Sequence, residues 1–348
     1  MSHYCTAFDQ AFLAPGIALW RSLARHEPGA VLWVLALDAV TAELLGELAD
    51  PRLRVVPLAE LERDDPALVA AKDSRSWVEY VFTLSPCWPR WLMTRRPEID
   101  RLTCLDADLF FFANPAPVHA AMDAAGASVL VTRHGFPPWL RHYERHGAYN
   151  VGFLSFRRDA AGLGCLDDWR TRCLAWCRDR VEDGKYADQG YLDEWPARLG
   201  SALLVLDHPG VNLAPWNWDG RTVVSRRWVE EGGLIAFHFA RFRPLLGGHW
   251  WHSGQLDYGI MPWSLRQAIY GPYWHALRAA RAEISAIRPN AAFPRHSARG
   301  GRGFWRALPL RLIFGGDWLR LGGAFWNLRF GLGRWSGRCL AALRNSLG

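Results

Sequence analysis

The chain has 348 residues, half of them apolar and 22% charged, which excludes wholesale disorder and allows one large core with an appendage. No apolar run approaches the ~20 residues that cross a bilayer, and Met1-Ser2-His3-Tyr4-Cys5 lacks the basic start and apolar stretch of a secretory signal, so the sequence reads as cytoplasmic. The formal charge of +7 divides into +9 over residues 295–348, where ten arginines meet one acid, Asp317, and −2 over residues 1–294, which excludes a nucleic-acid-binding body and points the basic segment at an anionic surface.

Strands read at 3–8, 30–37 and 53–57, the second a nearly continuous apolar run. Between them lie helical patterns at 13–26, with Leu13, Ile17, Trp20 and Leu23 on one face, and at 40–49 after Asp38. This alternation predicts an α/β fold with a mainly parallel sheet flanked by helices and ligands at the carboxyl ends of its strands. A longer helix is expected over 76–95, kinked or split by Pro86 and Pro89. A short strand at 101–105 then runs straight into Asp106-Ala107-Asp108. Strands near 127–132 and 149–156 and a helix at 160–180 follow, and strands near 202–206 and 233–239 are expected to close the sheet. A helix at 262–286 ends the first domain, 1–287, before a Pro/Gly/Arg-rich linker, 288–303, and a segment of distinct composition, 304–348. Seven cysteines at scattered positions form neither a disulfide framework nor a zinc pattern. Cys173 and Cys177 share a helix face, but no nearby pair completes a metal site, so they read as buried thiols.

Asp106 and Asp108 carry the most chemistry. In an extended stretch two residues apart point to the same side, and two carboxylates on one face repel unless a cation lies between them or one stays protonated. Mg²⁺ and Mn²⁺ take oxygen ligands and complete their shells with substrate phosphates. The alternative is a capping aspartate beside a solvated one, which the apolar flanks Leu102–Leu105 and Leu109–Phe112 make less natural.

Seven segments in order place this pair in a larger pattern: residues 5–9 (Cys-Thr-Ala-Phe-Asp), 80–86 (Tyr-Val-Phe-Thr-Leu-Ser-Pro), 105–111 (Leu-Asp-Ala-Asp-Leu-Phe-Phe), 149–153 (Tyr-Asn-Val-Gly-Phe), 188–192 (Asp-Gln-Gly-Tyr-Leu), 210–217 (Gly-Val-Asn-Leu-Ala-Pro-Trp-Asn) and 236–239 (Ala-Phe-His-Phe). In this the chain resembles the GT-A type (Rossmann-like) nucleotide-diphosphosugar glycosyltransferases, most of all the retaining family-eight-like group and its bacterial branch. The resemblance spans residues 3–243. It implies a transferase that moves a sugar from a nucleotide-diphosphosugar, with a UDP-sugar favoured, onto a glycan or lipid-linked acceptor. It also implies a divalent cation, Mn²⁺ or Mg²⁺, held by Asp106, Asp108 and a late histidine, His238, and acting as a Lewis acid.

The same resemblance assigns the donor site. Thr6 and Asp9 would cradle the nucleoside, and Phe12 would stack on its base; Asp106 and Ala107 would contact the donor. Asn150 would meet the sugar, and Asp188 and Gln189 would line its reacting face in a positioning role. Lys72 and Arg75, in a loop before the 76–95 helix, would bind the diphosphate. Each residue also has a plain reading: His238 as a core histidine, Phe12 as a first-turn core residue, Asp188 as a helix N-cap, Lys72 as a solvated charge.

Among 20 tryptophans, the runs Trp216-Asn217-Trp218 and His249-Trp250-Trp251-His252 offer either core aromatics or a sugar-packing platform, with Asn212, Trp216 and Trp218 as weak acceptor contacts. Segment 304–348 has apolar residues at helical spacing among its arginines, the composition of an amphipathic helical extension that docks on an anionic membrane or packs on the body. An acceptor of the lipopolysaccharide or capsule type would give membrane attachment a purpose. Two rival functions remain: a non-catalytic sugar-nucleotide-binding scaffold, and a phosphatase of the haloacid dehalogenase type. The second expects Asp-x-Asp near the N-terminus followed by Thr or Val, whereas here Leu109 follows.

Overall fold

The second strand, β2 (Ala30–Ala36), is buried along its whole length, as a strand covered by helices on both faces must be. Alternate residues belong to different cores: Ala30, Leu32 and Val34 to one, Val31, Trp33 and Leu35 to the other. The computed structural model describes residues 1–221, 223–245, 250–253 and 255–291.

In chain order, β1 (Ser2–Phe8) leads through α1 (Leu13–His26) to β2, then α2 (Ala39–Glu47), β3 (Leu53–Pro57), α3 (Leu58–Asp64), α4 (Pro66–Lys72) and α5 (Trp77–Arg95). Next come β4 (Arg101–Leu105), β5 (Leu109–Phe111), α6 (Ala116–Ala124), β6 (Val129–Arg133), β7 (Tyr149–Arg157), α7 (Ala160–Ala175), α8 (Trp195–Leu199) and β8 (Leu203–Leu206). The chain continues through α9 (Arg226–Glu230), β9 (Ala236–His238), β10 (Arg243–Leu245), β11 (Trp250–His252), α10 (Gln255–Tyr258) and α11 (Trp263–Ile287).

Seven strands form one sheet in the order β3-β2-β1-β4-β7-β6-β8, parallel except for β7. The order reverses between β1 and β4, and ligands of such sheets bind at the carboxyl ends beside that switch point. Because β7 runs the other way, its first residues lie at the same edge as the last residues of its neighbours: Asn150 pairs with Thr132, and Tyr149 with Arg133. The mixed, mainly parallel α/β sheet expected from the sequence is therefore what the chain forms.

One core lies between the sheet and α1 and α11, with Ile17, Trp20, Ile269, Tyr273 and Leu277 in it. The other lies under α5 and α7, with Trp88, Leu92, Leu166 and Trp169. Arg21 bridges Glu283 of α11 and Asp50, tying the last described helix to the first.

Three readings need correction. Residues 233–239 do not close the main sheet: β9 pairs antiparallel with β5 in a separate two-stranded ribbon. The helix expected to be kinked or split at Pro86 and Pro89 is not split: it runs as one element, α5, started by a reciprocal cap between Ser76 and Glu79. Asp106-Ala107-Asp108 is not extended but a turn, closed by a hydrogen bond from Leu109 N–H to Asp106 O at 3.1 Å. The linker beyond residue 291 and the segment 304–348 lie outside the described residues, as does His249. No described helix is long and apolar enough to cross a membrane.

Candidate functional site

The strand β4 brings Asp106 to the sheet's carboxyl edge, where its N–H donates to Gly152 O of β7 at 3.0 Å. The following turn swings Asp108 beside it, so both carboxylates face one point through the turn and not through strand alternation. β5 then pairs with β9 in a register that sets Leu109 opposite His238, and Phe239 N–H donates to Asp108 O at 2.9 Å. His238 Nε2 lies 3.4 Å from Asp106 Oδ2 and 3.2 Å from Asp108 Oδ1. Among the described residues this is the one group of three or more such side chains close enough to share an ion.

The electrostatics fit a cation. Burial pushes the Asp106 carboxyl up to about 6, against the pull of His238 and with the help of Asp108. Burial alone would lower His238, but the charge and hydrogen bond of Asp108, with Asp106 behind it, hold it above its usual value. Two carboxylates and one imidazole are a donor set for a hard divalent ion. Asp106 keeps 42% of its side chain exposed against 7% for His238, so the cluster is open on the Asp106 side.

Behind His238 lies a network of amides. His238 Nδ1 meets Asn212 Oδ1 at 3.1 Å, and Asn212 Nδ2 donates to Thr132 Oγ1 at 2.9 Å and Asn150 Oδ1 at 2.8 Å. Asn150 Oδ1 also accepts from Gly152 N–H at 2.9 Å, while its amide nitrogen reaches His134 Nε2 at 3.0 Å and Gln189 Oε1 at 3.4 Å. Gln189 Nε2 donates to His146 O at 2.8 Å. His134 Nδ1 bonds Gly147 O at 2.9 Å, and burial pushes His134 down to about 3, which keeps it neutral. Gly152 is a steric requirement, because a Cβ there would lie 2.7 Å from Asn150 Oδ1 and 2.8 Å from the His238 ring.

Asp188 precedes the 3-10 turn Gln189–Glu194 but makes no capping bond, so the N-cap reading does not account for it. It is buried, and its Oδ2 has no hydrogen-bond partner. Burial raises its carboxyl to about 7; a hydrogen bond from Ser85 opposes this, and the charge of Asp106 adds to it. Thr6, near the end of β1, is buried with Oγ1 equally unpartnered. Asp9 accepts from Ala11 N–H at 3.0 Å, capping the short helix Gln10–Phe12, and Phe12 is half-buried against the core. Ala107 is buried at the turn between the two aspartates.

The two cations expected on a diphosphate each have protein partners. Lys72 pairs with Glu62 at 2.7 Å and lies over the Tyr80 ring. Arg75 bonds Thr83 and donates to Leu174 O at 2.6 Å, joining α5 to the end of α7. Asn212, the first of the expected acceptor contacts, is 1% exposed, and its amide faces His238, Thr132 and Asn150. Trp216 is buried, donates to His134 O at 3.0 Å and packs edge-on against His238, with ring centres 5.2 Å apart. Trp218 is half-buried against the main core. All six described cysteines are free thiols, Cys173 and Cys177 among them. Sequence reasoning missed His134, Thr132, Asn217 and the steric role of Gly152. Only the Asn150-Val151-Gly152 spacing carried a trace of the last.

No family model matches the chain. It is 34% identical over 260 residues to the protein YfnF of Bacillus subtilis (strain 168), covering 70% of this chain and 82% of that one. To YfnD of the same organism it is 28% identical over 307 residues, covering 85% and 96%. Similar solved structures include mouse xyloside xylosyltransferase 1 in its apo form (17% identity, 68% of this chain and 97% of that, TM-score 0.43). The glycosyltransferase GlyE of Streptococcus pneumoniae TIGR4 is 12% identical, over 85% of this chain and 65% of that, with TM-score 0.47. With a third of the aligned residues shared over most of both chains, this chain belongs to the family of Bacillus subtilis YfnF.

Proposed function

We propose that the chain is a divalent-metal-dependent, retaining glycosyltransferase of the GT-A type that moves a sugar from a UDP-sugar to a glycan or lipid-linked acceptor. The observation that carries this reading is the convergence of Asp106, Asp108 and His238 at the switch point of the sheet. They would hold Mn²⁺ or Mg²⁺, which, when bound, neutralises charge on the departing nucleoside diphosphate. Thr6, Asp9 and Phe12 would receive the nucleoside. The Thr6 hydroxyl has hydrogen-bonding capacity that the protein leaves unused.

Asp188 would face the donor sugar. With its carboxyl raised to about 7, it is present at neutral pH in both charged and protonated forms, and Oδ2 is able to accept from or donate to a sugar hydroxyl. Gln189, held at both ends of its amide, supports that wall. A positioning role suits both residues better than nucleophilic attack, and retention would then follow from front-face delivery of the acceptor. The basic segment 304–348 would hold the enzyme on an anionic membrane carrying a lipid-linked acceptor, and deleting 300–348 should release it from anionic vesicles while sparing donor binding.

The test is a panel of UDP-sugars incubated with the full-length protein and Mn²⁺, followed for UDP release with and without chelator. Chelator-sensitive release supports the reading. Cleavage of a phosphomonoester instead points to a phosphatase, and binding without release of UDP points to a scaffold.

A further inference from the structure

Asn212 is a buried asparagine in left-handed backbone, φ 52°, a conformation that glycine and asparagine adopt with least strain. Its amide orientation is determined by its surroundings. Nδ2 donates to two oxygens, those of Thr132 and Asn150, so a flipped amide would set its own oxygen against the Asn150 carbonyl. Asn150 Oδ1 cannot turn away, because it also holds the Gly152 N–H, and its amide nitrogen meets His134 Nε2. His134 is fixed in turn, since its Nδ1 faces the Gly147 carbonyl, which only accepts, leaving Nε2 as the acceptor for Asn150.

The consequence reaches His238. Asn212 Oδ1 is a pure acceptor, so the Nδ1 it faces carries a hydrogen. Nε2, the nitrogen that faces Asp106 and Asp108, is then the one left to shed its proton and offer a lone pair when a cation binds between them. Metal-binding histidines need such a partner on the second nitrogen, and losing it commonly costs 10–100-fold in metal affinity.

We infer that Asn212 is a positioning residue that sets the tautomer and direction of His238 toward a divalent cation, an inference that rests on the metal reading proposed above. The test uses full-length protein labelled with ¹⁵N-histidine in Mg²⁺ buffer, with the His238 Nδ1–H signal identified by its loss in His238→Ala, and a separate titration with Mn²⁺ alone followed by electron paramagnetic resonance. Asn212→Gly removes the amide while keeping the left-handed backbone unstrained.

In the wild type the His238 Nδ1–H should give a slowly exchanging, hydrogen-bonded signal. In Asn212→Gly that signal should be lost to exchange with water, with Mn²⁺ affinity falling about 10–100-fold and no further fall when Asn212→Gly is added to His238→Ala. A folded Asn212→Gly that keeps the slowly exchanging Nδ1–H signal or the wild-type Mn²⁺ affinity overturns the inference. If the signal is lost in Asn212→Gly but wild-type protein binds no Mn²⁺, the positioning role stands and the metal reading falls. Should Asn212→Gly fail to fold, Asn212→Asp keeps an acceptor for Nδ1 while losing the two donors, and loss of the Nδ1–H signal there overturns the proposal.

Discussion

Around Asn150 every named polar side chain has its partners within the protein, whereas two buried oxygens, Thr6 Oγ1 and Asp188 Oδ2, have none. Burying an unpaired polar group costs about 1–3 kcal/mol, so a fold tolerates one where something outside the chain completes it. A saturated amide such as Asn150 or Asn212 holds geometry; an unsaturated carboxyl such as Asp188 is available to a ligand. The contrast reassigns roles among residues that looked alike in sequence.

The largest effect expected from this contrast is at Asp188. Asp188→Asn keeps the shape and removes a charge that Asp106 already disfavours, so the fold should be no less stable, yet turnover of the donor should fall on the order of 100-fold. Full turnover in that variant would remove Asp188 from the site. Among the saturated amides the sign reverses. Asn217 accepts from Ala214 N–H at 2.8 Å and donates to His134 O at 2.8 Å and Asn212 O at 3.3 Å, all buried. Asn217→Ala should therefore destabilise the protein by about 3 kcal/mol, read as a lower denaturant midpoint, because several buried groups lose their partner together. An unchanged midpoint would show that the network has slack.

How far the sequence reaches differs between the sheet and the site. The sheet was legible because its periods are simple: the apolar run of β2 and the helix face of Leu13, Ile17, Trp20 and Leu23 follow from burial alone. The approach of Asp106, Asp108 and His238 was legible through the resemblance, but its mechanism was not, since a three-residue turn and a β5–β9 ribbon replace the extended stretch and the extra sheet strand. An amide that binds a sugar and one that binds another amide share the same chemistry, so the sequence does not show that Asn212 and Asn150 bond each other. Only burial and partners reveal it. Nor does anything local in the sequence show that Glu62 or the Leu174 carbonyl will fold against Lys72 and Arg75.

Lys72 accordingly sets the smallest expected effect. Its ion pair with Glu62 is 42% exposed on the lysine side, and exposed pairs contribute about 0–1 kcal/mol. Lys72→Ala should leave the melting temperature and the KM for the donor nearly unchanged. A tenfold rise in KM would return Lys72 to the diphosphate.

The three-residue cation centre stands or falls on calorimetric titration of UDP into the full-length protein with Mn²⁺ present, with chelator, and in Asp108→Ala. Binding should require Mn²⁺ and disappear in Asp108→Ala at an unchanged melting temperature. Equal UDP affinity in all three conditions would rule the centre out.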